Sequence, residues 1–102
     1  MLDEQSEFKS LSEIRQNIDG IDKEIISLIS RRALCVKAAA KFKTSEDSVR
    51  APERVKEVLA QRREWAKGEG LDENFIEGIF KNFISYFVNM ELAKWTIDAK
   101  QE

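Results

Sequence analysis

Apolar residues in the first third of the chain recur at alternating spacings of three and four positions. They are Leu11, Ile14, Ile18, Ile21, Ile25 and Leu28. This is the spacing of the a and d positions of a helical seam, which continues through Arg32, Cys35, Ala39 and Phe42. Ser10 and Glu13 fit a capping box at its start. The pattern predicts one α-helix of about 32 residues, roughly 48 Å long.

A helix of this length is too long for the rest of the chain to enclose. The chain has 102 residues, and a compact domain of ~100 residues has a radius of gyration of only about 13 Å. We therefore expect a second chain to cover the seam. Two copies that pack antiparallel would place the start of one long helix beside the middle of the other.

The rest of the sequence predicts a polar connection and two more helices. The stretch TSEDSVR, Thr44–Arg50, is polar and predicts an exposed loop. Pro52 suits the first turn of a second helix, which Gly68 and Gly70 end. The apolar stripe of that helix comprises Val55, Val58, Leu59, Trp65 and Ala66, with Arg62 among them.

Asp72 is the expected N-cap of the third helix. This helix is apolar over a wide face and should be largely buried; the face comprises Phe75, Ile76, Ile79, Phe80, Phe83, Ile84, Phe87 and Val88. The polar tail after Trp95 is expected to fray. The sequence thus predicts an all-α fold of three helices of very unequal length, in one domain over residues 1–102 with a core at about residues 10–96.

Composition excludes several functional classes. Charged residues make up 35% of the chain and apolar ones 42%, which is typical of a globular, water-soluble protein. The formal net charge of −2 lacks the basic footprint of a nucleic-acid-binding protein. No apolar run approaches the ~18 residues of a membrane span. We therefore expect neither a nucleic-acid nor a membrane partner.

The absence of histidine removes Ser–His catalysis, imidazole acid–base chemistry and His-ligated metals. The single cysteine, Cys35, cannot form an internal disulfide and suits a reducing compartment. The opening MLDEQSEFKS is charged and lacks the apolar region of a signal peptide. Together these features favour a cytoplasmic location.

Several cations lie where an anion would be favoured. Arg32 occupies a seam position, where a buried cation needs an anionic partner, although a structural ion pair would also serve. Lys43 lies eleven residues later on the same helical face, about 16 Å away, although a cation at a helix C-terminus is ordinary. Arg54 falls beside the free N–H groups of a helix start, or forms a surface pair with Glu53 or Glu57.

Arg15 precedes Arg32 by seventeen residues, about 25 Å along a helix, and lies on a different face. One chain cannot bring both residues to a small ligand, whereas two antiparallel copies can. The simpler alternative is that Arg15 is solvated on the flank of the helix.

Glu91 is an acid in an apolar stripe formed by Phe80, Ile84, Phe87 and Trp95. Burial favours the protonated form of a carboxyl group unless a cation compensates, and that form can donate a hydrogen bond. The alternatives are pairing with Arg32 or Lys94, or extension of the side chain to the helix edge. No nucleophile–base pair or metal cluster accompanies these residues, so chemistry here would rest on restraint and electrostatics.

Motifs on all three predicted helices resemble the all-helical chorismate mutases. The first is Leu11-x-x-Ile14-Arg15-x-x-Ile18-Asp19-x-Ile21-Asp22, followed by Arg31-Arg32 and Lys43. Ala51-Pro52-Glu53-Arg54-Val55, Gly70-Leu71-Asp72 and Glu91-Leu92-Ala93-Lys94-Trp95 extend the resemblance over about residues 10–96. The resemblance implies an intertwined homodimer with two active sites, no cofactor and no metal, which rearranges chorismate to prephenate.

The resemblance also implies a role for individual residues. Arg15 would reach one substrate carboxylate from the partner chain, and Arg32 would hold the other. Lys43 would contact the ether oxygen and a nearby carboxylate, and Arg54 would line the site. Glu91 stands where a residue, usually glutamine, donates a hydrogen bond to the ether oxygen as its bond breaks.

Two departures from the mutases concern the substrate. Val55 replaces an acid that binds the ring hydroxyl in many mutases, and Phe87 stands where a smaller polar residue is common. Both changes resemble isochorismate pyruvate lyases, which form salicylate and pyruvate, whereas Glu91 resembles mutases that use a protonated glutamate. A chorismate mutase is the leading prediction. The alternatives are isochorismate pyruvate lyase, 4-amino-4-deoxychorismate mutase and an inactive dimeric helical interaction module.

Overall fold

A computed structural model gives the backbone of residues 7–101 and the side chains of residues 7–94. It contains four helices: α1 (Leu11–Ala40), α2 (Glu46–Arg50), α3 (Pro52–Gly68) and α4 (Glu73–Gln101). The regular secondary structure of this described part is entirely helical, which confirms the predicted all-α fold. The chain divides into two compact units, one ending at Cys35 and the other beginning at Val36.

Helix α1 begins as the sequence predicts and exposes its apolar seam. Ser10 Oγ accepts a hydrogen bond from the Glu13 N–H (3.1 Å), which is one half of the predicted capping box. The Glu13 carboxylate accepts from the Lys9 N–H (3.0 Å). None of the helix's residues is buried. The seam side chains Leu11, Ile18, Ile21, Ile25 and Leu28 are 47% to 58% exposed.

Helix α1 ends at Ala40, two residues earlier than predicted. The N–H groups of Lys41, Phe42 and Lys43 donate to the carbonyls three residues before them, at 3.3, 3.0 and 3.1 Å. Such i→i+3 bonds tighten the last turn of a helix and stop its propagation. Lys43 therefore lies in the turn after α1, and the predicted position on the helical face is wrong for this residue.

The prediction of an exposed loop over Thr44–Arg50 is also wrong, because this segment contains helix α2. Ser45 Oγ accepts from the Ser48 N–H (3.1 Å) while Ser48 Oγ accepts from the Ser45 N–H (3.0 Å), so the two serines form a reciprocal cap. The Val49 side chain is 4% exposed, and α2 packs against α4. Capping and one buried valine thus suffice to order five residues.

Helices α3 and α4 form a hairpin whose ends follow the sequence signals. Pro52 occupies the first turn of α3, and Gly70 takes the left-handed backbone conformation (φ 72°) that follows the helix. Asp72 Oδ1 accepts from the N–H groups of Asn74 (2.8 Å) and Phe75 (3.0 Å), which confirms the predicted N-cap. Val58 and Ala66 of α3 are buried.

An ion-pair cluster centred on Arg63 holds the two helices of the hairpin together. The Arg63 guanidinium reaches the carboxylates of Glu73 (3.2 Å) and Glu77 (3.3 Å) on α4. It also donates to Asn74 Oδ1 (3.0 Å). One planar guanidinium satisfies several acceptors at once, and this fixes the register of α3 against α4.

Helix α4 is less buried than its apolar pattern predicts. It also extends further toward the C-terminus than the sequence predicts. Its described apolar side chains are at most half-buried, and Phe75, Tyr86 and Met90 are exposed. The helix continues to Gln101, past the expected fraying point at Trp95; the side chain of Trp95 lies outside the described residues. Of the helices described, none combines the length and apolarity needed to cross a membrane.

Candidate active site

The candidate site contains an ion pair between Lys43 and Glu91. Lys43 Nζ is 3.1 Å from Glu91 Oε2, although the two residues are 48 positions apart in sequence. Their side chains are only 24% and 12% exposed. The turn after α1 presents the lysine, and α4 presents the glutamate. The structure thus brings together two residues to which the family resemblance assigned the same substrate atom, and Lys43 provides a compensating cation for Glu91.

The surroundings of Glu91 on α4 are apolar. Phe87, one helical turn before it, is half-buried and meets the ring of Tyr86 edge-on, with centroids 5.2 Å apart. Ile84 on the same stripe is also half-buried. Charges that are partly withdrawn from water interact more strongly than surface charges. The ion pair is therefore partly shielded from water, and its two groups are held by the turn after α1 and by α4.

The first turn of α3 carries Arg54 and Val55. Arg54 is exposed, with Nη1 3.6 Å from the Glu57 carboxylate, which is the surface pair anticipated from the sequence. Exposed pairs of this kind contribute little to stability, so Arg54 can change partner at small cost. Val55 is half-buried, and its N–H donates to the Ala51 carbonyl (3.0 Å).

Arg32 and Arg15 both lie on α1, in the first compact unit. Arg32 is half-buried, and desolvation by burial lowers the pKa of its guanidinium. Arginine nevertheless stays charged in proteins, so this position favours an anionic partner. Arg15 is exposed. Since one continuous helix separates the two by about 25 Å, a single chain cannot close both around one small molecule.

Two features near these residues have no clear signal in the sequence. The first is Ala51, which joins α2 to α3 in a left-handed conformation; the motif Ala-Pro gave no direct signal for it. The second is the stacking of Arg62, whose guanidinium carbon lies 4.5 Å from the Trp65 ring centre and 5.6 Å from that of Phe80. Within the described residues, no three acidic or cysteine side chains come together as a metal site requires.

Comparisons with known proteins match most of the chain. The family described as chorismate mutase type II matches residues 14–92. The chain is 42% identical over 85 residues to the isochorismate pyruvate lyase of Pseudomonas aeruginosa, covering 83% of this chain and 84% of that protein. It is 31% identical over 77 residues to the T-protein of Haemophilus influenzae, covering 74% of this chain but only 20% of that protein.

The matched stretch includes all seven candidate site residues, which are Arg15, Arg32, Lys43, Arg54, Val55, Phe87 and Glu91. The family match and the lyase relative confirm the prediction of an enzyme with isomerase or lyase chemistry. They also confirm the resemblance to the chorismate mutases. The chain therefore belongs to the chorismate mutase type II family.

Proposed function

We propose that this enzyme eliminates pyruvate from isochorismate to leave salicylate, and that it rearranges chorismate to prephenate as a second activity. The observation that carries this order is the 42% identity to an isochorismate pyruvate lyase over more than four-fifths of both chains. The sequence alone favoured the mutase. Val55 agrees with the lyase, because it cannot bind a ring hydroxyl as an acid would.

Both reactions break the same ether bond of a flexible dicarboxylate. In the elimination, the ether C–O bond breaks while a ring hydrogen moves to the methylene carbon of the enolpyruvyl group. That carbon becomes the methyl group of pyruvate, and the ring becomes aromatic. In the rearrangement, the same methylene carbon bonds to the ring instead. Each path needs a compact substrate conformation and a donor to the ether oxygen.

The charged residues divide these tasks. Lys43 and Glu91 act at the ether oxygen, where negative charge grows as the bond breaks. Glu91 contributes through its 3.1 Å contact with Lys43, which holds the ammonium group in position. Arg32 holds one substrate carboxylate, Arg15 of the partner subunit holds the other, and Arg54 lines the site. The reaction requires neither cofactor nor metal, and a cytoplasmic location is part of the proposal.

The proposed active unit is a homodimer that covers the α1 seam. Five aliphatic side chains along this seam are about half exposed in the single chain, an unusually large apolar stripe for a monomer. Ile25→Glu should weaken the dimer by at least about 100-fold, because it buries an unpaired charge. Sedimentation across a concentration series measures this.

Lys23→Glu is the matched control, because it introduces the same residue on the exposed side of the helix, two positions from the seam. It should leave the dimer unchanged. A parent protein that remains monomeric at assay concentration would contradict the dimer.

Val55→Asp tests the choice of substrate. An acid at this position is expected to bind the ring hydroxyl of chorismate and to repel the altered hydroxyl arrangement of isochorismate. The ratio of mutase to lyase kcat/KM should rise by about tenfold, the effect of one added hydrogen bond of about 1.4 kcal/mol. Val55→Asn separates hydrogen bonding from charge. An unchanged ratio in both variants would remove Val55 from substrate discrimination.

A further inference from the structure

Ala51 holds a backbone conformation that residues with a Cβ atom rarely adopt. Its φ and ψ angles are 41° and 61°, and it is the non-glycine residue with positive φ in the part of the chain that the structure describes. Glycine is the usual residue in this left-handed region, because a Cβ atom crowds the following carbonyl. Such strained positions persist only where their surroundings enforce them, and they concentrate at functional sites.

Two hydrogen bonds and a proline enforce the conformation of Ala51. Its N–H donates to the Asp47 carbonyl (2.8 Å), which closes α2, and its carbonyl accepts from the Val55 N–H (3.0 Å), which opens α3. One residue therefore caps both helices. Pro52 at the start of α3 disfavours a right-handed helical conformation for the residue before it. The chain must turn at Ala51 instead of continuing α2 into α3.

Along the chain, the turn at Ala51 lies between the residues that are proposed to contact the substrate. Lys43 precedes the serine cap of α2, and the buried Val49 anchors α2 on α4, the helix that carries Glu91. Arg54 and Val55 follow in the first turn of α3. The dihedral angles of Ala51 thus determine the direction in which this first turn leaves α2.

We propose that Ala51 is a positioning residue, whose left-handed conformation sets Arg54 and Val55 relative to the Lys43–Glu91 pair; this rests on the proposed function. Ala51 touches no substrate and acts through the first turn of α3. A residue with fewer allowed conformations than glycine holds that turn before the substrate arrives. Because the turn is already ordered before binding, the substrate does not lose affinity to the entropy cost of ordering it.

Ala51→Gly is the test, because glycine accepts the native dihedral angles without strain but also allows many others. The variant should fold, with a melting temperature within about 4 °C of the parent. Its kcat/KM for the preferred substrate should fall about tenfold, mainly through KM, because the first turn of α3 must be ordered on binding. Amide hydrogen exchange at Val55 should become about tenfold faster, as local opening becomes easier.

Ala60→Gly is the matched control, since it makes the same change at an exposed position inside α3. It should lower the melting temperature at least as much as Ala51→Gly while leaving KM and the exchange of Val55 unchanged. A folded Ala51→Gly variant with kcat/KM within twofold of an active parent overturns the positioning role, even if exchange is faster. A parent that converts neither substrate overturns the proposed function itself, and the positioning role with it.

Discussion

Replacing Lys43 with alanine is expected to lower kcat/KM for either substrate by about 10²–10³-fold, the usual loss when a donor to a developing oxyanion is removed. It should also lower the free energy of unfolding by about 1–3 kcal/mol, because Glu91 would keep a largely buried carboxylate without its partner. Steady-state kinetics and denaturant unfolding measure the two effects separately.

A double variant separates the two roles of Lys43. In Lys43→Ala/Glu91→Gln the side chain at position 91 is neutral, so most of the lost stability should return while activity does not. Arg50→Ala is the control for an ordinary ion pair, since its partner Glu46 is more than half exposed; it should cost under about 0.5 kcal/mol. A Lys43→Ala enzyme as active as the parent would remove the lysine from the reaction.

The second large effect is expected from Arg32→Ala. Loss of a charge-assisted hydrogen bond to a substrate carboxylate should lower kcat/KM by about 100-fold, equivalent to roughly 3 kcal/mol. Stability should change by less than about 1 kcal/mol. Desolvation by burial lowers the pKa of Arg32, so removing the cation recovers that desolvation cost and loses the packing of the aliphatic part of its side chain.

The stability cost of Arg32 should not vary with pH over the working range. A lowered pKa makes the cation less favourable in the folded chain, but arginine is charged in the folded and unfolded states alike well above neutral pH. Arg31→Ala is the matched control, because the neighbouring arginine is exposed. Equal kinetic losses in the two variants would contradict a specific role for Arg32.

The long helix could be predicted because its signal is periodic and local. Alternating spacings of three and four over eighteen residues identify α1 from its side chains alone. Helix α2 has no such signal, because its five residues include only one apolar residue, Val49. Its capping box uses serine at both positions, Ser45 and Ser48. Its order comes from contact with α4, which the sequence does not reveal.

The candidate site was predictable by residue type but not by pairing. An acid within the apolar stripe of α4 marked Glu91, and a cation near the end of α1 marked Lys43. Their contact depends on how the turn after Ala40 meets α4 across 48 positions, so sequence spacing suggested other partners. The prediction that the wide apolar face of α4 is largely buried was wrong for a related reason. Such a pattern predicts burial, but most of the described side chains of this face are only half-buried in the single chain.

The most direct measurement is product analysis on the purified protein, with isochorismate and chorismate in separate incubations. We expect equal amounts of salicylate and pyruvate from isochorismate, and slower formation of prephenate from chorismate. Prephenate alone would show a mutase and contradict the proposed order of the two activities. If neither substrate is converted, the amino-substituted chorismate is tested next, and the proposal that this site acts on isochorismate is wrong.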